Sequence, residues 1–477
     1  MTDDARAPVP PAVDGIPQDT TWSRPLVMVL VVVILAGALF GYDQGVISGA
    51  LDGIKKQFGL SAFLTEMVTS WVTLGALVGS LAGGDLADRL GRKKTILISG
   101  VLFVAGALVE SAAPDVATLV GGRFLVGFGV GIAAVAAPLY AAEIAPAWHR
   151  GRFVSAYQLA ITLGIFVSYF VDAALAEQGA WRLMLGVSAV PAALLVLAIL
   201  MSIESPRWLL KVRRVDEARD ALRRLRPDVD PEPRIRAIES SLQEQDHAAS
   251  WAEVFDPRWR RPLVVGLGLA IFQQITGINA IIYYSDEIFA AAGFATTAQQ
   301  TMVTTWAIGG VNVVATFIAI AFIDKLGRRP LLLAGLVGMG ASLFTVGFAF
   351  ESIGTGSAGA GPTTAGIVTL VALVVFIISF AFSLGPVVWT VINEIFPGRV
   401  RGRAVAVATA VNWGSAFLVS EFFLSIVAGI GAAAAFWLFA FFCAVGYFWV
   451  LKRVPETKGR SLEQIEASWG PAPGGPQ

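Results

Sequence analysis

The chain has 477 residues, 56% apolar and only 15% charged, and its 35 Lys and Arg balance 35 Asp and Glu to a net charge of zero. A soluble domain is about 45–50% apolar and about 25% charged, so this composition excludes intrinsic disorder, and the zero balance excludes a general nucleic-acid binder. One Cys, Cys443, and 50 Gly without a triplet period exclude a disulfide scaffold and a collagen.

Residues 1–24 are Pro-rich and lean acidic, with no basic n-region, and are predicted to be a disordered cytoplasmic tail rather than a signal peptide. From Pro25 to Leu51 the only charged residue is Asp43. A run of that length crosses the roughly 30 Å hydrocarbon layer, which takes about 20 helical residues. Similar runs follow at 64–84, 95–113, 116–142, 153–176, 181–203, 263–285, 299–323, 330–350, 364–393, 404–427 and 431–451, predicting twelve spans. No soluble core accommodates so many, and the fold class expected is an all-α membrane protein. With both termini inside, 31 of the 35 Lys and Arg fall on one face. The other face carries Lys55, Lys56 and Arg182, and Arg123 lies within span 4. This asymmetry predicts cytoplasmic termini and a multi-pass protein of the cell (inner) membrane.

The loops repeat. LADRLGRKK (Leu86 to Lys94) after span 2 matches FIDKLGRRP (Phe322 to Pro330) after span 8, setting Asp88 against Asp324. EIAPAWHRGR (Glu143 to Arg152) after span 4 matches EIFPGRVRGR (Glu394 to Arg403) after span 10, and ESPRW closes span 6 where PETKGR closes span 12. Offsets of 236 to 252 residues make the unit six spans, a parallel repeat about a membrane-normal axis. Residues 204–262 interrupt it with 25 charged among 59, while Trp208, Leu209, Val212, Ala218, Leu222 and Leu225 keep helical spacing. They read as a cytoplasmic bundle of short helices, with a solvated linker as the alternative. The expected organisation is tail 1–24, half 25–203, insert 204–262, half 263–453 and tail 454–477. GTGSAGAGP (Gly354 to Pro362) reads as a flexible outer loop. Gly75, Gly79 and Gly83 read as a close-packing face of span 2. GFGVG (Gly127 to Gly131) sits inside a span and is dismissed as a nucleotide loop.

A lone charge inside a span costs at least about 2.5–3.5 kcal/mol and is a functional hypothesis by default. Asp43 and Arg123 fall at one depth on antiparallel spans, so they are expected to pair. A carboxylate that alternates between pairing with Arg and holding a proton suits a proton-coupled carrier, the alternative being a static ion pair. Glu110 and Glu421 fall near outer span ends and read as solvated, and His149 and His247 lie outside the spans. Uncharged polar side chains gather near mid-depth: Gln158 on span 5, Gln273, Gln274 and Asn279 on span 7, Asn312 on span 8 and Asn412 on span 11. Amides suit a hydroxyl-rich neutral solute, and Trp389 and Trp413 offer faces for a sugar ring, although any one amide also serves as helix-packing glue. Gly277 in span 7 and Gly385-Pro386 in span 10 loosen the helices beside them.

These residues resemble the sugar porter family of the major facilitator superfamily over about 26–466, through GDLADRLGRKK, GGRFLVG, PLYAAEIAPAWHRGR, ESPRWLL, FQQITGINAIIYY, DKLGRRP, GPVVW, NEIFPGRVRG and VPETKGRSLEQIE. The resemblance implies two six-helix bundles rocking about a central sugar site. It implies salt bridges closing the inner side, made by Arg92, Glu143, Arg150, Glu204, Arg328, Glu394, Arg401 and Glu456. It sets Gln158, Gln273, Gln274, Asn279, Asn312 and Trp389 on sugar-contacting positions, and Asp43 where bacterial and plant proton symporters carry Asp. Ala381 stands where mammalian facilitators carry a sugar-contacting Glu, and Ile165 matches glucose-type members. The expected function is proton-coupled import of a monosaccharide, glucose or a related hexose. A facilitative uniporter and a transporter-like sugar sensor stay open as alternatives, and a drug-proton antiporter suits the amides less well. Expected partners are the sugar, a proton and the lipid bilayer, for a monomer without nucleic acid, cofactor, metal or enzymatic activity.

Overall fold

The computed structural model describes residues 22–146, 150–245, 251–353, 363–396 and 398–458. The outer loop 354–362, His149 and His247 therefore lie outside the described residues, as do the side chains of Arg150 and Asp324. Among the described residues, twelve helical stretches are long and apolar enough to cross a membrane, which agrees with the sequence expectation.

The first half comprises α1 (Arg24–Phe58), α2 (Ala62–Leu90), α3 (Arg92–Ala112), α4 (Val116–Ile144), α5 (Arg150–Leu175) and a sixth span formed by α6 (Trp181–Val187) and α7 (Ala189–Met201). Helix starts are specified locally. Ser23, Ser61 and Asp115 accept the backbone N–H of Leu26, Leu64 and Thr118 at 3.4, 3.3 and 2.8 Å, satisfying donors that a first turn leaves free. Short helices follow at α8 (Pro206–Lys211), α9 (Val215–Leu225), α10 (Glu232–Gln245) and α11 (Trp251–Val254). Trp208, Leu209 and Ala218 are buried there, and Trp208 Nε1 donates to the Asp88 carbonyl at 2.9 Å.

The second half is less regular. Its first span is broken into α12 (Arg260–Ile275), α13 (Ile278–Tyr283) and α14 (Ser285–Ala291). Then come α15 (Thr297–Val303), a π-helical stretch Thr304–Gly310, α16 (Val311–Leu326) and α17 (Arg328–Ile353). Next, α18 (Thr364–Ala381) and α19 (Leu384–Ile395) form another broken span, and α20 (Gly398–Ile430) and α21 (Ala432–Arg453) close the half. The first break falls at Gly277, as the sequence suggests, whereas the break between α18 and α19 falls at Phe382 and Ser383, with Gly385 and Pro386 in the first turn of α19. Gly277 has φ 94°, and a Cβ there would lie 2.7 Å from the Phe439 ring.

Packing inside the first half rests on backbone contact. A Cβ on Gly127 would lie 1.9 Å from the Val72 carbonyl oxygen and one on Gly131 2.2 Å from that of Ala76, so these two glycines of α4 form the face that α2 leans on. Large apolar side chains such as Leu183, Leu197, Phe317, Phe348 and Phe441 are exposed, as a lipid-facing surface requires. The halves meet through α2 against α20, α5 against α16 and the π-helical stretch, and α1 against α13 and α14.

Polar bridges between the halves gather at the end remote from the basic loops. Lys55 pairs with Glu287. Asp286 N–H donates to Ser48 Oγ at 3.1 Å, Tyr169 Oη donates to the Ile282 carbonyl at 2.9 Å, and Thr305 Oγ1 donates to the Tyr169 carbonyl at 3.0 Å.

Candidate functional site

Asp43 on α1 and Arg123 on α4 meet. Arg123 Nη1 donates to Asp43 Oδ1 at 2.7 Å, and its Nε donates to the Val68 carbonyl at 3.1 Å. Asp43 is 4% exposed and Arg123 0%. A third group joins them that the sequence reading had left in water. Glu110 on α3 is 1% exposed, and its Oε1 lies 3.8 Å from Arg123 Nη1. The reason is helix packing: a Cβ on Gly122 would lie 2.7 Å from Glu110 Cγ, so α3 and α4 approach too closely for the carboxyl to reach solvent. Glu110 Oε1 and Arg123 Nη2 make no hydrogen bond among the described residues. Two acids thus share one guanidinium in a water-poor interior. Both ionised leave an excess negative charge, and one proton on either acid removes it.

Glu421, also expected to be solvated, is 7% exposed where α20 packs on α2. Asp172 on α5, Asp286 on α14 and Glu66 on α2 are buried acids that the sequence reading passed over. Their signal was available, since each lies within or beside an apolar run.

Across the molecule, four buried amides form one hydrogen-bonded chain. Asn279 Nδ2 donates to Gln274 Oε1 at 2.9 Å, and Gln274 Nε2 donates to Asn412 Oδ1 at 3.2 Å. Asn412 Nδ2 donates to Gln273 Oε1 at 2.6 Å and to the Ala270 carbonyl at 3.0 Å. Gln273 Nε2 donates to the Leu384 carbonyl at 2.8 Å, where α19 begins after the break in its span. Irregular backbone at membrane depth needs such a partner, so Gln273 supports the broken span.

The other candidates are not part of this chain of amides. Asn312 is buried on α16, Ile165 is buried on α5, and Gln158 and Trp389 are half-buried. Trp413 packs edge-on against Phe40 of α1 at 5.2 Å, so it joins the two halves. The charged and amide clusters are linked by α13. Asn279 and Tyr283 are four residues apart on that short helix and share a face, and α13 packs against α1, the helix that carries Asp43.

At the basic end, each half has its own latch. Arg92 Nη2 donates to Glu143 Oε1 at 2.7 Å, and Ser205 Oγ donates to Glu143 Oε2 at 2.5 Å. Glu204 caps a helix: its carboxylate accepts the backbone N–H groups of Arg92 and Lys93 at 3.0 and 3.1 Å, at the start of α3. Glu456 does the same for α17, accepting N–H from Arg328 and Arg329, each at 3.1 Å. A Cβ on Gly91 would lie 2.4 Å from Glu204 Oε2, and one on Gly327 would lie 2.9 Å from Glu456 Oε2. The glycine of each RLGR or KLGR loop therefore makes room for the capping acid. Arg328 Nη2 donates to Glu394 Oε1 at 3.1 Å. Arg401 departs from the expected salt bridge: its Nε donates to the Phe396 carbonyl at 3.0 Å instead of to a carboxylate. These contacts tie helices within one half.

The two capping acids differ. Burial raises the Glu204 carboxyl above the usual range, against the pull of the Ser205, Lys93 and Arg92 N–H groups. For Glu456 burial also raises it, but N–H donors from Lys458, Arg328, Arg329 and Thr457 outweigh this and hold it below the usual range. Among the described residues, no group of His, Cys, Asp and Glu is placed to hold a metal ion.

The model of the family described as sugar (and other) transporter matches residues 29–469. The galactose-proton symporter of Escherichia coli (strain K12) is 40% identical over 434 residues, covering 91% of this chain and 92% of that protein. The glucose transporter GlcP of Staphylococcus epidermidis is 37% identical over 441 residues, covering 92% and 96%. The partially occluded inward-open structure of the xylose transporter XylE from E. coli superposes with a TM-score of 0.79 at 29% identity, covering 92% of this chain and 100% of that one. A XylE structure with bound 6-bromo-6-deoxy-D-glucose gives 0.77 at 31% identity, covering 94% and 99%. Twelve membrane-crossing helices in two related halves and a family match over nearly the full length lead to one identification: the chain belongs to the sugar transporter family and has the major facilitator fold.

Proposed function

We propose that this protein imports a monosaccharide, glucose or a related hexose, together with a proton, by alternating access. It would do so across the cell (inner) membrane with both termini in the cytoplasm, the orientation favoured by its basic loops. The observation that carries the reading is the buried group of Asp43, Arg123 and Glu110, two acids on one guanidinium. Such a group holds one proton without leaving a net buried charge. A proton reaching Asp43 frees Arg123 from it, and Glu110 retains the guanidinium so that no bare cation is left.

The amide chain of Gln273, Gln274, Asn279 and Asn412 is the sugar site. Sugar hydroxyls replace amide-to-amide bonds one for one, which keeps every buried donor satisfied. Gln158, Asn312 and Trp389 complete the site as the halves rock, and α13, which packs on α1, carries the state of Asp43 to Asn279. The match to galactose-proton and glucose transporters supports the substrate class. Ile165, which matches glucose-type members, and Ala381, which stands where mammalian facilitators carry a Glu, support the finer assignment. Arg92, Glu143, Arg150, Glu204, Arg328, Glu394, Arg401 and Glu456 hold each half rigid at the cytoplasmic end while the halves rock.

The test is uptake by Asp43→Asn in energised vesicles. Sugar exchange is expected to persist while uphill accumulation is lost, and full accumulation would refute proton coupling through Asp43. Competition of glucose uptake by galactose, xylose, mannose and inositol assigns the sugar, with glucose expected to compete most strongly.

A further inference from the structure

Helices α2 and α20 carry the same short pattern, a Glu followed four residues later by a Ser: Glu66 and Ser70 in EMVTS, Glu421 and Ser425 in EFFLS. The two helices run antiparallel, and the patterns meet head to tail. Ser425 donates twice to Glu66, from its backbone N–H to Oε1 and from its hydroxyl to Oε2, each at 2.6 Å. In the other direction Ser70 Oγ donates to Glu421 Oε2. Each helix thus supplies one acceptor and one donor, and every bond of the clasp crosses from one half of the molecule to the other. All four residues sit near the start of α2 and the far end of α20, away from the basic loops, at the same end as the Lys55 and Glu287 pair.

The recurrence is not a relic of the duplication. Repeated loop motifs lie 236 to 252 residues apart, whereas Glu66 and Glu421 are 355 apart. Span 2 corresponds to span 8 in the repeat, not to span 11. The pattern therefore occurs on two helices that are not counterparts in the repeat and that meet across the boundary between the halves. Glu66 and Ser70 are fully buried and Glu421 is 7% exposed, whereas Ser425 is exposed, so both acceptor carboxyls are shielded from water while one of the donors stands at the surface. A hydrogen bond to a carboxylate is about twice as strong as a neutral one, and a buried acid left without its donors is costly.

We infer that Glu66, Ser70, Glu421 and Ser425 form the clasp that holds the outer end shut, and that breaking it is the step by which the transporter reopens outward. The clasp is independent of which solute or ion is carried, because none of its residues belongs to the charged or amide clusters. Reopening must separate both donor-acceptor pairs together, which makes closure two-state rather than gradual.

The test reads the closure directly. In a Cys443→Ala background, spin labels replace Phe63 at the start of α2 and Ile430 at the end of α20, both exposed. Inter-label distances are measured by double electron–electron resonance in lipid nanodiscs without sugar. Ser70→Ala and Ser425→Ala, substitutions that helices tolerate, are each expected to raise the ratio of long to short distances roughly tenfold, and together by more. Ser342→Ala, which removes a buried hydroxyl bonded within one half at 2.7 Å, is the control and is expected to leave the ratio unchanged. An unchanged distribution in the double variant, or an equal shift in the control, overturns the clasp.

Discussion

The two halves share loop motifs and latches, yet their interiors differ. The first half buries charge, with Asp43, Arg123 and Glu110 within 3.8 Å of one another through the guanidinium. The second half buries neutral amides in a continuous chain from Asn279 to Gln273. Their helices differ in kind as well. The charged half has close-packed helices in backbone contact and one interrupted span, α6 to α7, while the amide half has spans broken at Gly277 and between α18 and α19. A buried ion pair needs a rigid frame, because a small displacement leaves a bare charge, whereas a site that must exchange its own hydrogen bonds for those of a solute needs segments that shift. Duplication supplied one scaffold, and the two interiors carry different chemistry, a charged cluster in one and a chain of neutral amides in the other.

The division breaks most sharply at Asp43. Asp43→Asn is expected to lower steady-state accumulation about 100-fold while counterflow of labelled sugar continues, because the protonated state is mimicked permanently. Gln274→Ala comes next. It leaves Asn279 Nδ2 without its acceptor and Asn412 Oδ1 without its donor, at about 1–3 kcal/mol, so the apparent KM for sugar should rise about tenfold or more in a concentration series. The pH profile should stay unmoved, since no charged group is touched; a moved profile would mean that the two interiors are not separate. Glu110→Gln should have an intermediate effect, several-fold on accumulation with little on KM, because Arg123 then has no acid when Asp43 is protonated.

The smallest effect compares the capping acids. The Glu456 carboxyl is held below the usual range, so its stabilisation is present above the unfolded-state value of about 4.3 and is lost as pH falls through its lower folded value. Glu204 has the opposite sign: its raised carboxyl makes the fold less stable as pH rises through the window between its unfolded and folded values. Thermal unfolding of Glu456→Gln should show a deficit at pH 7 that shrinks on acidification. Glu204→Gln should have its smallest deficit, or a gain, at pH 7. Identical pH trends would mean that the two latches are equivalent.

Much of this was legible in the sequence, because membrane crossing depends on length and the absence of charge, both of which can be counted. Asp43 and Arg123 stood out for the same reason. Glu110 did not, since distance from a span end says nothing about a neighbouring helix, and only the close approach at Gly122 shows why its carboxyl turns inward. The amides could be placed at one depth, but not their bonds to each other or the support Gln273 gives to the backbone at Leu384. Motif matching found Glu204 and Glu456 without their geometry. That each caps a helix beside a glycine follows from backbone positions, and so does the departure of Arg401 from its expected partner.

The central claim is that one buried acid links proton to sugar. Sugar added to de-energised vesicles containing the protein, in weakly buffered medium under a pH electrode, tests it most directly. Net uptake should alkalinise the medium with the wild-type chain and leave it unchanged with Asp43→Asn, which still exchanges sugar. Sugar entering through the wild-type chain without a pH change, or alkalinisation that survives Asp43→Asn, would contradict it.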